Sequence, residues 1–143
     1  MMRVVIAMAI FIGLIVIGTA CSAAPAVLPT PLAEAVYQTM TIDEFAAALD
    51  QPGSYTVINV HIPYEGEVPN TDDQIPYDDI NALTAALPDR NAAIILYCRS
   101  GRMSEEASRV LVGLGYTNLV DVPGGMNAWM ASGRELLMSE IGS

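Results

Sequence analysis

Residues 93–105 read AIILYCRSGRMSE and carry the strongest structural signal in the chain. The first five are apolar or aromatic, which is typical of a strand buried on both faces of a parallel sheet. Cys98 follows this strand directly. Apolar side chains then recur at helical spacing over 104–114, which predicts an amphipathic helix. A strand that passes through a short loop into a helix is typical of α/β proteins.

Similar signals alternate along the rest of the chain. Thr41 and Glu44 have the spacing of a capping box, which marks the start of the first helix. The sequence predicts strands at 55–60, 93–97 and 119–122, and helices at 42–50, 78–87, 104–114 and 124–133. We therefore expect a single α/β domain in which helices flank a central, mostly parallel sheet. Ligands of such sheets bind beyond the carboxyl ends of the strands, and Cys98 is placed there.

The composition excludes several classes of function. The 143 residues are enough for one domain. Sixteen Asp and Glu against six Arg, with no Lys, give a net charge of −10, which repels nucleic acid and argues against a nucleic-acid partner. Two cysteines and one histidine are too few for a metal site. We expect neither a metal nor a cofactor.

The first 21 residues have the pattern of an export leader. Arg3 is the only charge among the first 33 residues, and an uncharged apolar run follows it. The run ends Gly-Thr-Ala-Cys, which resembles the bacterial lipoprotein signal and implies lipidation of Cys21. An uncleaved transmembrane anchor is the alternative. Either anchor places the domain outside the cytoplasm, attached to the bacterial cell membrane. The predicted segments are a leader at 1–21, a tether at 22–35 and a folded domain at 36–143.

The loop after Cys98 has the composition of a site that activates a thiol. Backbone N–H groups of such a loop can surround an anion, and the positive end of the following helix dipole adds to their effect. Arg99 and Arg102 supply two positive charges. Settings of this kind lower a cysteine pKa from about 8.5 into the range of roughly 3.5 to 7.5. The resulting thiolate is a nucleophile and, once sulfurated, a carrier of terminal sulfur.

The segment Cys-Arg-Ser-Gly resembles the active-site loop of the rhodanese family. Two other stretches agree: 57–60 resembles the family strand that usually ends Asp-Val-Arg, and 124–133 resembles its Gly-Gly-x-x-x-Trp…Gly signature. The resemblance implies a sulfurtransferase in which Cys98 takes sulfur from a small anionic donor such as thiosulfate. The sulfur then passes as a persulfide to a thiophilic acceptor. The donor-binding residues that the resemblance implies are Arg99, Ser100, Gly101, Arg102, Met103 and Ser104.

The chain departs from the family pattern at three places. Asn59 and His61 replace the usual Asp and Arg, which normally serve the scaffold, so we expect no chemistry from them. The usual Gly-His-Ile element is replaced by residues 66–75 (GEVPNTDDQI). The late loop position often held by Arg is Met103, and Arg102 is the candidate substitute. Related phosphatases have Arg six positions after the cysteine; that position is Ser104 here, which argues against a phosphatase.

Two other interpretations compete with the enzymatic one. The domain could be a non-catalytic module of rhodanese fold that binds a partner or delivers sulfur to it. A thiol redox sensor would need a resolving cysteine, and none is left if Cys21 is lipidated. His61 invites assignment as a general base, but a structural or solvent-exposed role is the expectation. The protein partner is not identified by the sequence.

Overall fold

The computed structural model describes residues 36–138, which contain five strands and four helices. The strands and helices alternate along most of this segment, as the sequence patterns predict. Their bounds, in chain order, are β1 Gln38–Thr39, α1 Ile42–Leu49, β2 Thr56–Asn59, β3 Asp73–Gln74, α2 Ile80–Ala86, β4 Ile94–Tyr97, α3 Arg102–Gly113, β5 Leu119–Asp121 and α4 Gly125–Ala131.

The five strands form one parallel sheet in the order β1-β5-β4-β2-β3. The α/β fold predicted from the sequence is therefore confirmed. The edge strands β1 and β3 have two residues each and were not predicted, because so short a polar segment has no measurable periodicity. Pairing with a longer neighbour is what makes them strands. Strand β4 lies at the centre, between β2 and β5.

Each face of the sheet is covered by two helices. On one face, Phe45 of α1 packs against Trp129 of α4, with ring centroids 5.9 Å apart. On the other face, Leu83 of α2 and Leu111 of α3 pack over β4. The side chains of β4 alternate between these two cores, and all four are buried. Burial on both faces accounts for the unbroken apolar run in this strand.

The predicted capping box starts α1. The Thr41 hydroxyl accepts a hydrogen bond from the Glu44 N–H at 3.3 Å, and the Glu44 carboxylate accepts one from the Thr41 N–H at 2.7 Å. In contrast, α3 begins at Arg102, two residues before the predicted start at residue 104. Gly101 precedes it with a φ of 96°, a left-handed conformation that glycine adopts without strain. The early start shortens the loop that follows Cys98 and places Arg102 in the first helical turn.

Backbone hydrogen bonds join the start of α4 to the β4–α3 loop. The N–H of Met126 donates to the Cys98 carbonyl and that of Asn127 donates to the Arg99 carbonyl, both at 2.9 Å. Gly125 comes so close that a Cβ at this position would overlap the Cys98 carbonyl oxygen. The Gly-Gly signature therefore has a steric cause: α4 can hold this loop only if the residue before Met126 has no side chain.

Three of the sequence-based predictions lie outside the described residues. These are the leader at 1–21, the tether at 22–35 and the lipidation of Cys21. Within residues 36–138, no helix has both the length and the apolar character needed to cross a membrane.

The contact between α4 and the Cys98 loop yields a prediction for stability. Gly125→Ala should lower the free energy of unfolding by at least about 3 kcal/mol, because the new methyl group meets backbone in a left-handed conformation. Gly133→Ala is the matched control. Gly133 has a φ of 84° but nothing within 4 Å of its Cβ position, so only the conformational cost of about 1–2 kcal/mol applies. Urea unfolding of both variants measures the difference, and equal losses would contradict the steric argument.

Candidate active site

Cys98 lies directly after the central strand β4, at the carboxyl edge of the sheet. Cys98 is 1% exposed and borders the core formed by β4 and α3. The placement predicted from the sequence is the one found. Because neighbouring parallel strands end at the same edge, residues that follow β2 and β5 also approach this position. The neighbours that the structure shows are Glu65, in the loop after β2, and Asp121, which is itself the last residue of β5.

The Cys98 sulfur accepts hydrogen bonds from the segment that starts α3. The N–H of Gly101 donates to Sγ at 3.0 Å, and the Ser104 hydroxyl lies 3.7 Å from Sγ. The same hydroxyl is 3.1 Å from the Gly101 carbonyl oxygen, so it can donate to either acceptor. No side chain caps the helix, and the first N–H groups of a helix have no acceptor within it. The Gly101 N–H and the Ser104 hydroxyl both lie beside the sulfur at this end of α3, where such donors stabilise negative charge.

The other loop residues predicted to bind a donor differ in their exposure and in what they contact. Ser100 is exposed at the tip of the loop, whereas Met103 is partly buried and packs against the core below α3. Arg102 projects from the first turn of α3 and lies over the ring of Tyr77, 5.8 Å from its centroid. Its Nη1 is 3.5 Å from Glu106. Within residues 36–138, no hydrogen bond joins either arginine of the loop to the Cys98 sulfur.

Arg99 is engaged by a residue that the sequence analysis did not single out. Its Nη1 is 2.5 Å and 2.7 Å from the two carboxylate oxygens of Glu65. Glu65 also lies 2.6 Å from Nε2 of His61. The His61 hydrogen bond and then the Arg99 hydrogen bond lower the pKa of Glu65 below its usual value, so it is ionised at neutral pH. Position in the loop after β2 was the one available signal, since pairing across 34 residues has no sequence pattern.

Asn59 and His61 form part of the scaffold, as the sequence analysis expected. The Asn59 side-chain amide donates to the Gly66 carbonyl at 3.1 Å, and its oxygen accepts from the His61 N–H at 3.0 Å. His61 is buried rather than solvent-exposed. Its ring orients Glu65 and makes no contact with Cys98 among the hydrogen bonds of the described segment. The two substitutions therefore hold the loop after β2 in place.

Asp121 is a buried carboxyl group close to the site. It is 3% exposed, and among the described residues no group donates a hydrogen bond to its Oδ1. Burial raises the pKa of Asp121 above the ordinary carboxyl value, while the nearby Ser104 hydroxyl acts in the opposite direction. Asp121 also lines a cavity of about 440 Å³ together with Ser100, Gly101 and Arg102. Ser104 thus lies between this carboxyl group and the Cys98 sulfur.

The acidic side chains within 36–138 do not form a metal centre. No group of three or more His, Cys, Asp or Glu side chains in this range has the geometry to hold an ion. The chemistry available at the described site is that of a cysteine in a cradle of hydrogen-bond donors.

Comparisons with known proteins agree with this geometry. The family model "Rhodanese-like domain" matches residues 41–132. The thiosulfate:glutathione sulfurtransferase of Saccharomyces cerevisiae is 29% identical over 91 residues, which are 61% of this chain and 65% of that protein. The chain therefore spans just under two thirds of the yeast relative. The thiosulfate sulfurtransferase PspE of Escherichia coli is 31% identical over 70 residues, 47% of this chain and 67% of PspE.

Solved structures show the same fold. A rhodanese-related protein from Thermoplasma volcanium superposes with a TM-score of 0.59 at 26% identity, covering 71% of this chain and 98% of the other. A rhodanese-like domain protein from Staphylococcus aureus also has a TM-score of 0.59, at 27% identity, covering 71% of this chain and 99% of the other. Each alignment covers nearly all of the compared chain, so the likeness extends over the whole of both solved folds.

The buried carboxyl of Asp121 should make stability depend on pH. Its pKa is raised in the folded state, so the unfolded chain loses this proton more readily than the folded one. The free energy of unfolding therefore falls as the pH rises above the ordinary carboxyl pKa of about 4. The stability of Asp121→Asn relative to the unsubstituted chain should therefore increase between about pH 4 and pH 7. Urea unfolding across this range measures the difference. The exposed Asp78→Asn is the control, and parallel pH profiles for all three proteins would contradict the assignment.

Proposed function

The chain belongs to the rhodanese-like domain family, and we propose that it is a sulfurtransferase that carries sulfane sulfur as a persulfide on Cys98. The observation that carries the proposal is the setting of Sγ. It accepts the Gly101 N–H at 3.0 Å and lies beside the Ser104 hydroxyl, at the start of α3. The likeness to two thiosulfate-using sulfurtransferases supports the same reaction class.

The proposed reaction has two displacement steps. The Cys98 thiolate attacks the outer sulfur of a donor such as thiosulfate, an S–S bond forms to Cys98, and the S–S bond of the donor breaks. Sulfite leaves with the electron pair of that bond. A thiophilic acceptor, as a thiolate or cyanide, then attacks the terminal sulfur, and Cys98 leaves again as a thiolate. No net oxidation occurs, and no cofactor is needed.

The hydrogen-bond donors beside Sγ, the Gly101 N–H and the Ser104 hydroxyl, would act in both steps. Negative charge rests on Sγ before the first step and on the terminal sulfur after it. Donors that are fixed by the fold stabilise this charge without reorganising during the reaction. We assign the backbone of Arg99 to Ser104 to this role. The side chains of Arg99 and Arg102 would add positive charge for an anionic donor, although carboxylates lie near both.

The site of action belongs to the same proposal. The apolar run before Cys21 and its Gly-Thr-Ala-Cys ending support a lipid anchor in the bacterial cell membrane. The domain would then work outside the cytoplasm at the end of the 22–35 tether. An anchor at Cys21 would also leave Cys98 without a resolving cysteine, which suits a persulfide carrier better than a redox sensor.

The test of the proposal is the mass of the protein after treatment with a sulfur donor. The purified full-length chain, incubated with thiosulfate or an organic thiosulfonate, should gain one sulfur atom, about 32 Da, that dithiothreitol removes. Cys98→Ser should not gain this mass, whereas Cys21→Ser, the matched control, should. Transfer of the label to cyanide would complete the cycle. Failure of every donor to load Cys98 would remove the enzymatic proposal and leave a non-catalytic binding module.

A further inference from the structure

The carboxyl group of Asp121 is buried at the end of β5 and has no part in the two displacement steps proposed above. The residue is 3% exposed, and among the described residues no group donates a hydrogen bond to its Oδ1. A buried polar atom without a partner costs free energy, so its presence calls for a cause. The side chain whose hydroxyl bonds to this carboxyl is Ser104, near the start of α3.

The Ser104 hydroxyl links the carboxyl to the Cys98 sulfur. Ser104 is fully buried, and its Oγ lies 3.7 Å from Sγ and 3.1 Å from the Gly101 carbonyl oxygen. A hydroxyl has one proton to donate and two lone pairs that accept. It therefore donates to the sulfur, to the carbonyl oxygen or to the Asp121 carboxyl, but not to all of them at once. The acceptor that carries negative charge attracts the proton most strongly.

The protonation state of Asp121 decides which way the Ser104 hydroxyl points. A protonated Asp121 donates its own O–H to Ser104 Oγ, which leaves the serine proton for the sulfur, where it stabilises a thiolate. An ionised Asp121 attracts the serine proton instead, so the sulfur loses this donor and gains a negative neighbour. Two negative charges joined through a single buried hydroxyl oppose each other, and the carboxylate therefore favours a thiol.

We propose that Asp121 and Cys98 share one proton through the Ser104 hydroxyl, and that Asp121 is thereby a positioning residue for the Cys98 thiolate. The inference rests on the sulfurtransferase function proposed above, in which that thiolate attacks the donor. When the thiolate forms, the thiol proton passes to Ser104 Oγ as the hydroxyl proton passes to the Asp121 carboxylate. One S–H and one O–H bond break, one O–H bond forms at each oxygen, and nothing is oxidised. The total charge of the site is unchanged by this transfer.

Other charged groups also face Asp121. Burial raises the pKa of Asp121, and Glu105 of α3 adds to this as a second negative charge, although Arg109 pairs with Glu105 at 2.6 Å. Arg102 and the phenol of Tyr37 line the same cavity as Asp121. The residues that pair with Asp121 from the neighbouring strands β1 and β4 are uncharged. These groups set the background against which the proton pair titrates, and Glu105 supplies a control.

The experiment follows the Cys98 thiolate through its ultraviolet absorbance. The full-length chain is titrated between about pH 5 and pH 9, and the curve of Cys98→Ser is subtracted to remove the tyrosines and the other cysteine. Asp121→Asn keeps the shape of the side chain, and its amide can donate to Ser104 Oγ, so the serine proton stays on the sulfur side without a carboxyl charge. Glu105→Gln removes a charge from the wall of the same cavity and is the matched control.

The expected result is a change in the shape of the titration curve. In the unsubstituted chain the thiolate should form over two overlapping steps, since the two groups share one proton and the second proton leaves against a negative charge. Asp121→Asn should give a single step that is complete about one pH unit lower or more, a tenfold change in proton affinity. Glu105→Gln should shift the curve by less, because this charge does not act through Ser104.

A second substitution tests the route through the hydroxyl. In the presence of Ser104→Ala, Asp121→Asn should shift the curve less than about half as far, because the group that carries the coupling is gone. The rate of persulfide formation from thiosulfate, followed by intact mass at neutral pH, should follow the thiolate fraction of each protein.

The outcomes that would overturn the inference are separable from failure of the proposed function. If Asp121→Asn leaves the titration curve as it was, or shifts it equally with and without Ser104→Ala, Asp121 does not act through the hydroxyl. Persulfide formation on Cys98 would in that case still support the sulfurtransferase function. If the curve changes as expected but no donor loads Cys98 in any variant, the proposed function is wrong, and Asp121 has no sulfur transfer to serve.

Discussion

The site depends on the backbone hydrogen bonds that join the start of α4 to the β4–α3 loop. Two backbone hydrogen bonds of 2.9 Å, to the carbonyls of Cys98 and Arg99, hold the first two residues of the loop. They form because Gly125 presents no side chain to the Cys98 carbonyl. With its carbonyls turned towards α4, the loop can present the Gly101 N–H to the sulfur. The C=O and N–H of one trans peptide group point in opposite directions within its plane, so these two bonds turn the N–H groups of Arg99 and Ser100 away from α4, and the next N–H, that of Gly101, donates to the sulfur.

Charge around the site is arranged in pairs. Glu65 joins the buried His61 to Arg99, and Arg102 lies between Tyr77 and Glu106. The hydrogen bonds to the sulfur therefore come from neutral groups, the Gly101 backbone and the Ser104 hydroxyl. Dipoles fixed in a buried site stabilise a negative sulfur more effectively than mobile surface charges, which water and salt screen.

The predictable parts of the fold are those with local causes. The capping box at Thr41 and the unbroken apolar run of β4 each follow from neighbouring residues, and each is present. The edge strands β1 and β3 were missed because only pairing with β5 and β2 makes them strands. The start of α3 was placed two residues late. Gly101 before it has a left-handed φ of 96°, and the backbone nitrogen of Gly124 would lie 2.9 Å from a Cβ at this position, an approach that no local pattern records.

The sequence by itself determined the α/β order, the position of Cys98 after a buried strand and the composition of the loop around it, because period, capping and strand burial are written in adjacent residues. Only the tertiary structure decided what each loop side chain contacts. Arg99 meets a carboxylate from 34 positions earlier, and Ser104 stands between Cys98 and the buried Asp121 of another strand. Such partners are brought together by the parallel sheet, which gathers the ends of distant strands at one edge; no local pattern in the chain encodes which of them will touch.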